Sequence, residues 1–254
     1  MGDILFEIQG KLREIENKEN IKILLAAESG SRAWGFASPD SDYDVRFIYL
    51  RRTKDYLRLD GLKDTIDWQL DEVLDINGWD LKKALIHFKK GNATLFEWAN
   101  SPVIYKKAPE WEDIYDKAKH YFSEKASTYH YYGTARNTYD KFLQDKTVKY
   151  KKYFYALRPL LACRYIEHFH CPPPVLFEDL IKQELPETLI QALPGLLEQK
   201  KVTDERTQSP HIPEILAFIQ SELGLQEKRL SEMPEDKKDE WEPLNELFLQ
   251  YVTV

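Results

Sequence analysis

The chain has 254 residues, which suffices for one large domain or two modest ones, and we expect two. A composition of 43% hydrophobic and 31% charged residues is ordinary for a globular protein with a sizeable core. A formal net charge of −7 argues against broad electrostatic adhesion to nucleic acid, although a local basic patch remains compatible with it. No apolar run approaches the roughly 20 residues of a membrane helix, so no membrane partner is expected. Cys163 and Cys171 indicate reduced thiols in a cytoplasmic protein.

The first fifty residues carry the signals of a helix followed by two strands. Residues 3–17 place apolar side chains three to four positions apart, which predicts an amphipathic helix. Residues 21–27 form an apolar run of strand length. A turn-rich segment, 28–40, then separates this strand from a β-branched and aromatic second strand at 43–50.

The next fifty residues predict further strands and two short helices. Residues 64–77 read as one strand or a hairpin with an acidic edge. Asp80 has the position of an N-cap before an apolar helical stripe that Gly91 ends. A second helix is expected at 93–100, and a closing strand at 103–105.

From about residue 108 the pattern is almost wholly helical. The predicted helical segments are 109–144, 148–169, 176–184, 187–199, 211–223 and 240–252. The charged, proline-containing segment 226–240 is expected to be an exposed connection. We therefore predict an α+β fold with two domains: a short mixed sheet with helices at 1–105 and an all-helical domain at 106–254.

One stretch combines a Gly-Ser pair with two aspartates. Gly30 and Ser31 follow the first predicted strand, and Asp42 and Asp44 open the second. Because residues i and i+2 of a strand point to the same face, the two carboxylates are expected side by side, with Cα atoms about 6–7 Å apart. This joint order is much more specific than an isolated Asp-x-Asp or Gly-Ser.

Two adjacent carboxylates repel each other unless a cation lies between them. Paired hard oxygen ligands suit Mg²⁺ or Mn²⁺, which can activate an attacking oxygen and neutralise a leaving group. A glycine lets backbone N–H groups approach a phosphate closely, and the Ser31 hydroxyl can donate to it. The pattern favours a metal-dependent transfer of a nucleotidyl or phosphoryl group.

The segment GSRAWGFASPDSDYDVRFIYL, residues 30–50, resembles the signature of the DNA polymerase beta-like nucleotidyltransferase superfamily. It is especially similar to the predicted nucleotidyltransferases of the YcgL or RlaP type, which are associated with RNA repair. Three later segments also resemble that family, namely 78–85, 91–105 and 151–164. The resemblance thus spans about residues 20–175.

The resemblance implies a nucleotidyltransferase fold with a third metal-binding carboxylate on a neighbouring strand, within 64–77. Asp75, with apolar neighbours on both sides, is the first choice, and Asp67, in nearly the same context, is the alternative. Asp42 and Asp44 would hold two ions. Asp75 would bind one of them and help to deprotonate the acceptor hydroxyl.

Several basic or aromatic side chains are candidates for binding the nucleoside triphosphate. Lys151, Tyr155 and Arg158 fall on one stripe of the predicted helix 148–169, where they could hold a triphosphate and stack on a base. Arg32 follows Ser31 and could reach a phosphate. Arg46 lies two residues beyond Asp44 and could steady a carboxylate or a phosphate.

The sequence leaves the acceptor open. An RNA end, a protein hydroxyl and a small molecule all remain possible partners, and the oligomeric state is undetermined. From another class of function, the chain could be a non-catalytic nucleotide sensor that retains the fold, although the intact carboxylates argue against this alternative.

Overall fold

The computed structural model describes residues 2–38, 41–70, 73–202 and 208–252. The chain forms two compact units: Met1–Phe122 together with Lys237–Val254, and the continuous stretch Ser123–Asp236. These bounds differ from the predicted domains 1–105 and 106–254. The assignment of a catalytic domain to 1–105 stays a prediction.

The elements of both units follow in chain order. The first unit begins with α1 (Gly2–Glu19), β1 (Ile21–Ser29), α2 (Gly30–Ala33), β2 (Tyr43–Arg51), α3 (Thr53–Tyr56), β3 (Thr65–Leu70), β4 (Leu74–Asp80), α4 (Leu81–Lys89), α5 (Ala93–Ala99), β5 (Ile104–Lys107), α6 (Glu110–Ala118) and a 3-10 turn (Lys119–Tyr121). The second unit contains α7 (Glu124–Phe142), β6 (Thr147–Val148), α8 (Lys151–Phe169), α9 (Phe177–Leu180), α10 (Glu187–Val202), β7 (Ser209–Pro210) and α11 (Pro213–Glu232). The first unit closes with α12 (Glu242–Val252).

A five-stranded mixed sheet with the order β3-β4-β2-β1-β5 forms the centre of the first unit. Only β2 and β4 pair in parallel, while the other neighbours are antiparallel. The predicted strands at 21–27 and 43–50 are confirmed, and the segment 64–77 is the hairpin of β3 and β4 rather than one strand. The predicted α+β class is confirmed.

Each face of the sheet carries its own hydrophobic core. The alternating residues Val45, Phe47 and Tyr49 of β2 face α1, whose apolar stripe packs against them. On the opposite face, Ile48 belongs to a core that includes residues of α4, α5, α6 and α12. Burial of each large apolar side chain contributes about 1.5–3 kcal/mol, so both faces hold β2 in place.

The expectation that 226–240 is an exposed connection is wrong for its first part. Helix α11 continues to Glu232, and Gln226 is only 1% exposed. Its side-chain amide donates to Glu222 Oε1 at 2.8 Å. The charged residues that suggested a loop are compatible with the solvent side of a helix that buries one face.

The second unit is helical, as the pattern predicted, apart from the short antiparallel pair of β6 and β7. Ser123 caps α7 by accepting a hydrogen bond from the Ala126 N–H at 3.0 Å. Helices α7, α8 and α11 pack together. Among the helices of the described residues, none combines the length and the apolar character needed to cross a membrane.

Candidate active site

The two aspartates of the Asp-x-Asp pattern have different positions relative to β2. The strand begins at Tyr43, so Asp44 lies within it while Asp42 precedes it and is exposed. Because side-chain alternation holds only within a strand, it does not by itself set the Asp42 carboxylate beside that of Asp44, and the expected side-by-side placement stays a prediction. Asp42 still lies close enough for its charge to raise the pKa of Asp44.

Asp75 lies directly beside Asp44. The parallel register of β2 and β4 pairs Asp44 with Asp75 and Arg46 with Asn77. Asp67, the alternative third carboxylate, lies on β3 one strand further out, where it pairs with Asn77 and accepts a hydrogen bond from its amide. Of the two candidates, Asp75 is the one adjacent to Asp44, and its role as a metal ligand stays a prediction.

The Arg46 guanidinium joins the two neighbouring carboxylates. Its Nη2 atom lies 3.0 Å from Asp44 Oδ1 and 2.7 Å from Asp75 Oδ2. The other terminal nitrogen, Nη1, donates to the backbone carbonyls of Val45 at 3.1 Å and Asp75 at 3.2 Å. One nitrogen of the charged guanidinium thus contacts both carboxylates.

The electrostatics of the site converge on Asp44. Burial raises the pKa of its carboxyl above the ordinary value, while the neighbouring Arg46 lowers it. The charges of Asp75 and Asp42 act in the same direction as burial. Asp44 consequently holds its negative charge less readily than a solvated aspartate and favours a nearby cation.

Gly30 is required where β1 meets α2. Its φ of +64° lies in the left-handed region that favours glycine, and a Cβ atom there would lie 2.4 Å from Asp44 Oδ2. The absence of a side chain allows the backbone of the Gly-Ser pair to approach the carboxylate. The predicted Gly-Ser turn is thus the start of a short helix, with Ser31 as its second residue.

Arg32 holds the segment that carries Asp42. Its Nε donates to the Asp42 carbonyl at 2.9 Å, and its Nη2 donates to the Ser41 carbonyl. The guanidinium also stacks on the Tyr43 ring, with 3.7 Å between Cζ and the ring centroid. These contacts give Arg32 a positioning role, and its predicted contact with a phosphate stays a prediction.

Glu28 is a residue of this site that sequence reasoning did not select. Its side chain is buried at the end of β1, where Oε1 accepts the Asp44 N–H at 2.8 Å and Oε2 accepts the Tyr105 hydroxyl. Burial raises the pKa of Glu28, and the hydrogen bond from Tyr105 lowers it. An acidic residue directly after the apolar run 23–27 was the signal available in the sequence.

A cavity of about 570 Å³ lies on the side of the sheet that α1 covers. Its lining includes Ile4 and Ile8 of α1 together with Glu28, Arg32 and Tyr43. The side chains that hold the backbone of Asp42 and Asp44 therefore also form the wall of this cavity.

The carboxylates of Asp44 and Asp75 fit a cation. Two oxygens from adjacent strands meet at one positively charged nitrogen, and hard oxygen donors are what Mg²⁺ and Mn²⁺ prefer. Within the described ranges, no three His, Cys, Asp or Glu side chains are gathered so that they could hold a metal ion. The role of Asp42 as a further ligand stays a prediction.

The residues predicted to bind nucleotide from the helical domain lie in the second unit, on α8. Lys151 and Tyr155 are partly exposed near the start of that helix. Arg158 is only 3% exposed, and its Nε donates to the Val175 carbonyl at 3.2 Å. Burial favours a structural role for Arg158, while Lys151 and Tyr155 stay candidates for nucleotide contacts.

A Gly-Ser pair at a helix start and paired aspartates on neighbouring strands of a mixed sheet agree with the predicted resemblance to DNA polymerase beta-like nucleotidyltransferases. The model of one protein family, described as "RlaP: RNA repair pathway DNA polymerase beta family", matches residues 5–250. Because the match covers almost the whole chain, the chain belongs to the RlaP family. The predicted resemblance is confirmed.

Two individual proteins are also similar to this chain. YcgL from Bacillus subtilis (strain 168) is 40% identical over 244 residues, which cover 95% of this chain and 94% of that protein. The crystal structure of a nucleotidyltransferase-like protein from Exiguobacterium sibiricum 255-15 is 14% identical and has a TM-score of 0.29. That alignment covers 97% of this chain and 89% of the other.

Proposed function

We propose that the first unit transfers a nucleoside monophosphate from a nucleoside triphosphate to an acceptor hydroxyl, with Mg²⁺ or Mn²⁺ held by Asp44 and Asp75 beside Asp42. The observation that carries this proposal is the β2–β4 register, which sets two carboxylates against a single cationic nitrogen. Membership of the RlaP family supports a nucleotide substrate.

In this reaction the acceptor oxygen attacks the α-phosphorus in line with the bond to the β-phosphate. That bond breaks and pyrophosphate leaves, while the proton of the hydroxyl passes to the Asp75 carboxylate or to water. A divalent ion bound here would lower the charge on the phosphates and make the hydroxyl more acidic. Catalysis of this kind depends on positioning and charge neutralisation more than on covalent chemistry.

The remaining residues of the site keep these groups in place. Gly30 leaves room for the Asp44 carboxylate beside the start of α2. Ser31 would donate its hydroxyl to a phosphate oxygen. Glu28 and Arg32 fix the backbone at Asp44 and Asp42 through the hydrogen bonds described above.

An RNA end is the acceptor that the family description favours, since that description names an RNA repair pathway. The formal net charge of −7 argues against binding long nucleic acid through the whole surface. A short single-stranded end, which needs few phosphate contacts, is compatible with both observations.

Radiolabel transfer tests the proposal. The protein would be incubated with each α-³²P-labelled nucleoside triphosphate, Mg²⁺, and pooled RNA or protein acceptors. We expect the wild type to transfer label to RNA. Asp44→Asn or Asp75→Asn should lower the rate of transfer at least about 100-fold, because mutation of residues that only support metal ligands already lowers activity about 10–100-fold.

Asp67→Asn is the matched control, because it removes a carboxylate from the adjacent strand without touching Asp44. It should retain transfer. Loss with Asp67→Asn and retention with Asp75→Asn would instead assign Asp67 as the third carboxylate. Nucleotide binding without any transfer by the wild type would identify a non-catalytic sensor and refute the proposal.

A further inference from the structure

Arg46 occupies the place that a bridging cation would take. Its Nη2 atom contacts one oxygen of Asp44 and one of Asp75, at 3.0 and 2.7 Å. The two aspartates face each other across the parallel β2–β4 pair, so the guanidinium neutralises two charges that would otherwise repel each other.

The position of this nitrogen is set by the backbone as well as by the carboxylates. Arg46 Nη1 donates to the carbonyls of Val45 and Asp75, which orients the planar guanidinium between the strands. The Arg46 side chain is 18% exposed, so the ion pairs lie mostly out of solvent. Water therefore screens them less than it screens surface pairs.

A divalent ion and this nitrogen compete for the same two oxygens. Asp44 Oδ1 and Asp75 Oδ2 already contact Nη2, at 3.0 and 2.7 Å, and Mg²⁺ prefers the same hard oxygen donors. An ion bound to both carboxylates would place a second positive charge beside the guanidinium, and like charges repel each other.

We propose that Arg46 is an exchangeable counter-cation of the Asp44–Asp75 pair, whose Nη2 group must leave the gap before a divalent ion bridges the two carboxylates. This inference rests on the proposed function, which assigns the pair to the metal. Arg46 thereby lowers metal affinity in the resting protein and keeps the carboxylates correctly spaced until the ion arrives.

Mn²⁺ binding without nucleotide tests the exchange, measured by electron paramagnetic resonance of the free ion. We expect Arg46→Met to bind Mn²⁺ at least about tenfold more tightly than the wild type, because a hydrogen-bonded ion pair no longer competes. Arg51→Met is the matched control. It removes one positive charge from the far end of β2, where Nη2 donates to the Tyr49 hydroxyl and the Lys63 carbonyl, and should change affinity less than about threefold.

The outcomes separate this inference from the proposed function. If the wild type binds Mn²⁺ and Arg46→Met binds it equally or more weakly, Arg46 is a supporting residue and the exchange is refuted. If neither protein binds Mn²⁺, the metal assignment falls together with the inference. A gain of similar size with Arg51→Met would show a general charge effect and also refute the exchange.

A second measurement uses the unmodified side chain. In ¹⁵N-arginine-labelled wild type, we expect Mg²⁺ to shift the Arg46 Nη signals, assigned by their absence in Arg46→Met, and to leave those of Arg51, at the far end of β2, in place. Mg²⁺-induced shifts of the Asp44 and Asp75 carboxyl carbons with unchanged Arg46 signals would refute the exchange.

Discussion

At the scale of single residues, Asp44 is the side chain on which the site depends. Gly30 lies against one carboxylate oxygen, Arg46 holds the other, and Glu28 accepts the Asp44 backbone N–H. A carboxylate held in this way cannot easily move aside when a neighbouring residue is replaced by a larger one, because the protein interior has little free space.

Gly30→Ala should therefore disturb both the backbone and the carboxylate. The left-handed conformation alone costs about 1–2 kcal/mol for a residue with a Cβ atom. The added methyl group would also displace the Asp44 carboxylate, which it would approach to 2.4 Å. We expect a lower free energy of unfolding in urea and a loss of Mn²⁺ affinity and nucleotidyl transfer.

Gly61→Ala is the control for that substitution, since a Cβ atom at Gly61 would meet nothing within 4 Å. Its free energy of unfolding should stay within about 0.5 kcal/mol of the wild type. Equal behaviour of Gly30→Ala and Gly61→Ala would contradict the close approach at Gly30.

At the scale of elements, the junction of β4 and α4 shows how a buried charge can serve as a helix cap. Asp80 Oδ1 accepts the Lys82 N–H at 2.8 Å, and Oδ2 accepts the Tyr56 hydroxyl at 2.9 Å. Burial raises the pKa of Asp80, although both hydrogen bonds lower it. The cap hydrogen bond thus stabilises α4, whereas burial of the Asp80 negative charge destabilises the folded state.

Two substitutions at Asp80 should separate the cap from the charge. Asp80→Ala removes the acceptor for Lys82 and should lower the free energy of unfolding by about 1 kcal/mol. Asp80→Asn keeps a cap and removes the charge, so it should cost less. The comparison needs urea unfolding of both variants over a range of pH.

The pH dependence has a definite sign. Because the folded pKa of Asp80 is raised, its stabilising contribution is complete below the unfolded value and decreases as pH rises through the folded pKa. The stability of Asp80→Asn relative to the wild type should therefore increase from about pH 4 upward. A relative stability that decreases over this range would contradict the raised pKa.

Helical periodicity predicted α1 because that helix buries one face. Apolar, β-branched and aromatic content predicted β1 and β2, because the sheet is buried on both faces. Periodicity failed for α2 and for the pair of β6 and β7, which are too short to repeat a pattern. It also placed the end of α11 too early, since a charged stretch can still bury one side.

At the scale of the molecule, the first unit is built from both ends of the chain. Residues 237–254 return to it after the second unit, and α12 packs on α4 and α6. Leu244 and Leu247 of α12 belong to the core that covers one face of the sheet. A division at residue 105 placed this helix with the second unit, because neighbours in sequence were assumed to be neighbours in space.

Leu247→Ala tests this arrangement. Leu247 is 1% exposed, so the truncation should lower the free energy of unfolding by about 2–5 kcal/mol. Hydrogen exchange should accelerate in α4 and α6 rather than in α7 and α8. Leu249→Ala, on the same helix at 55% exposure, should leave exchange almost unchanged. Acceleration confined to α7 and α8 would contradict the assignment of α12 to the first unit.

The sequence by itself determined the local part of the candidate site. Gly30 and Ser31 follow one strand, and Asp42 and Asp44 stand at the next. This order could be read because all four residues lie within fifteen positions. Strand alternation and turn chemistry act over such short separations. The resemblance to the family lies within the same short segment.

Only the tertiary structure decided which distant groups join Asp44. It set Asp75 beside Asp44 in preference to Asp67, and it brought Arg46 to Asp75 across 29 positions of sequence. The physical reason is register, since a shift of one residue between β2 and β4 would turn Asp75 to the other face of the sheet. Burial on both faces of the sheet fixes that register, and no short segment of the sequence contains it.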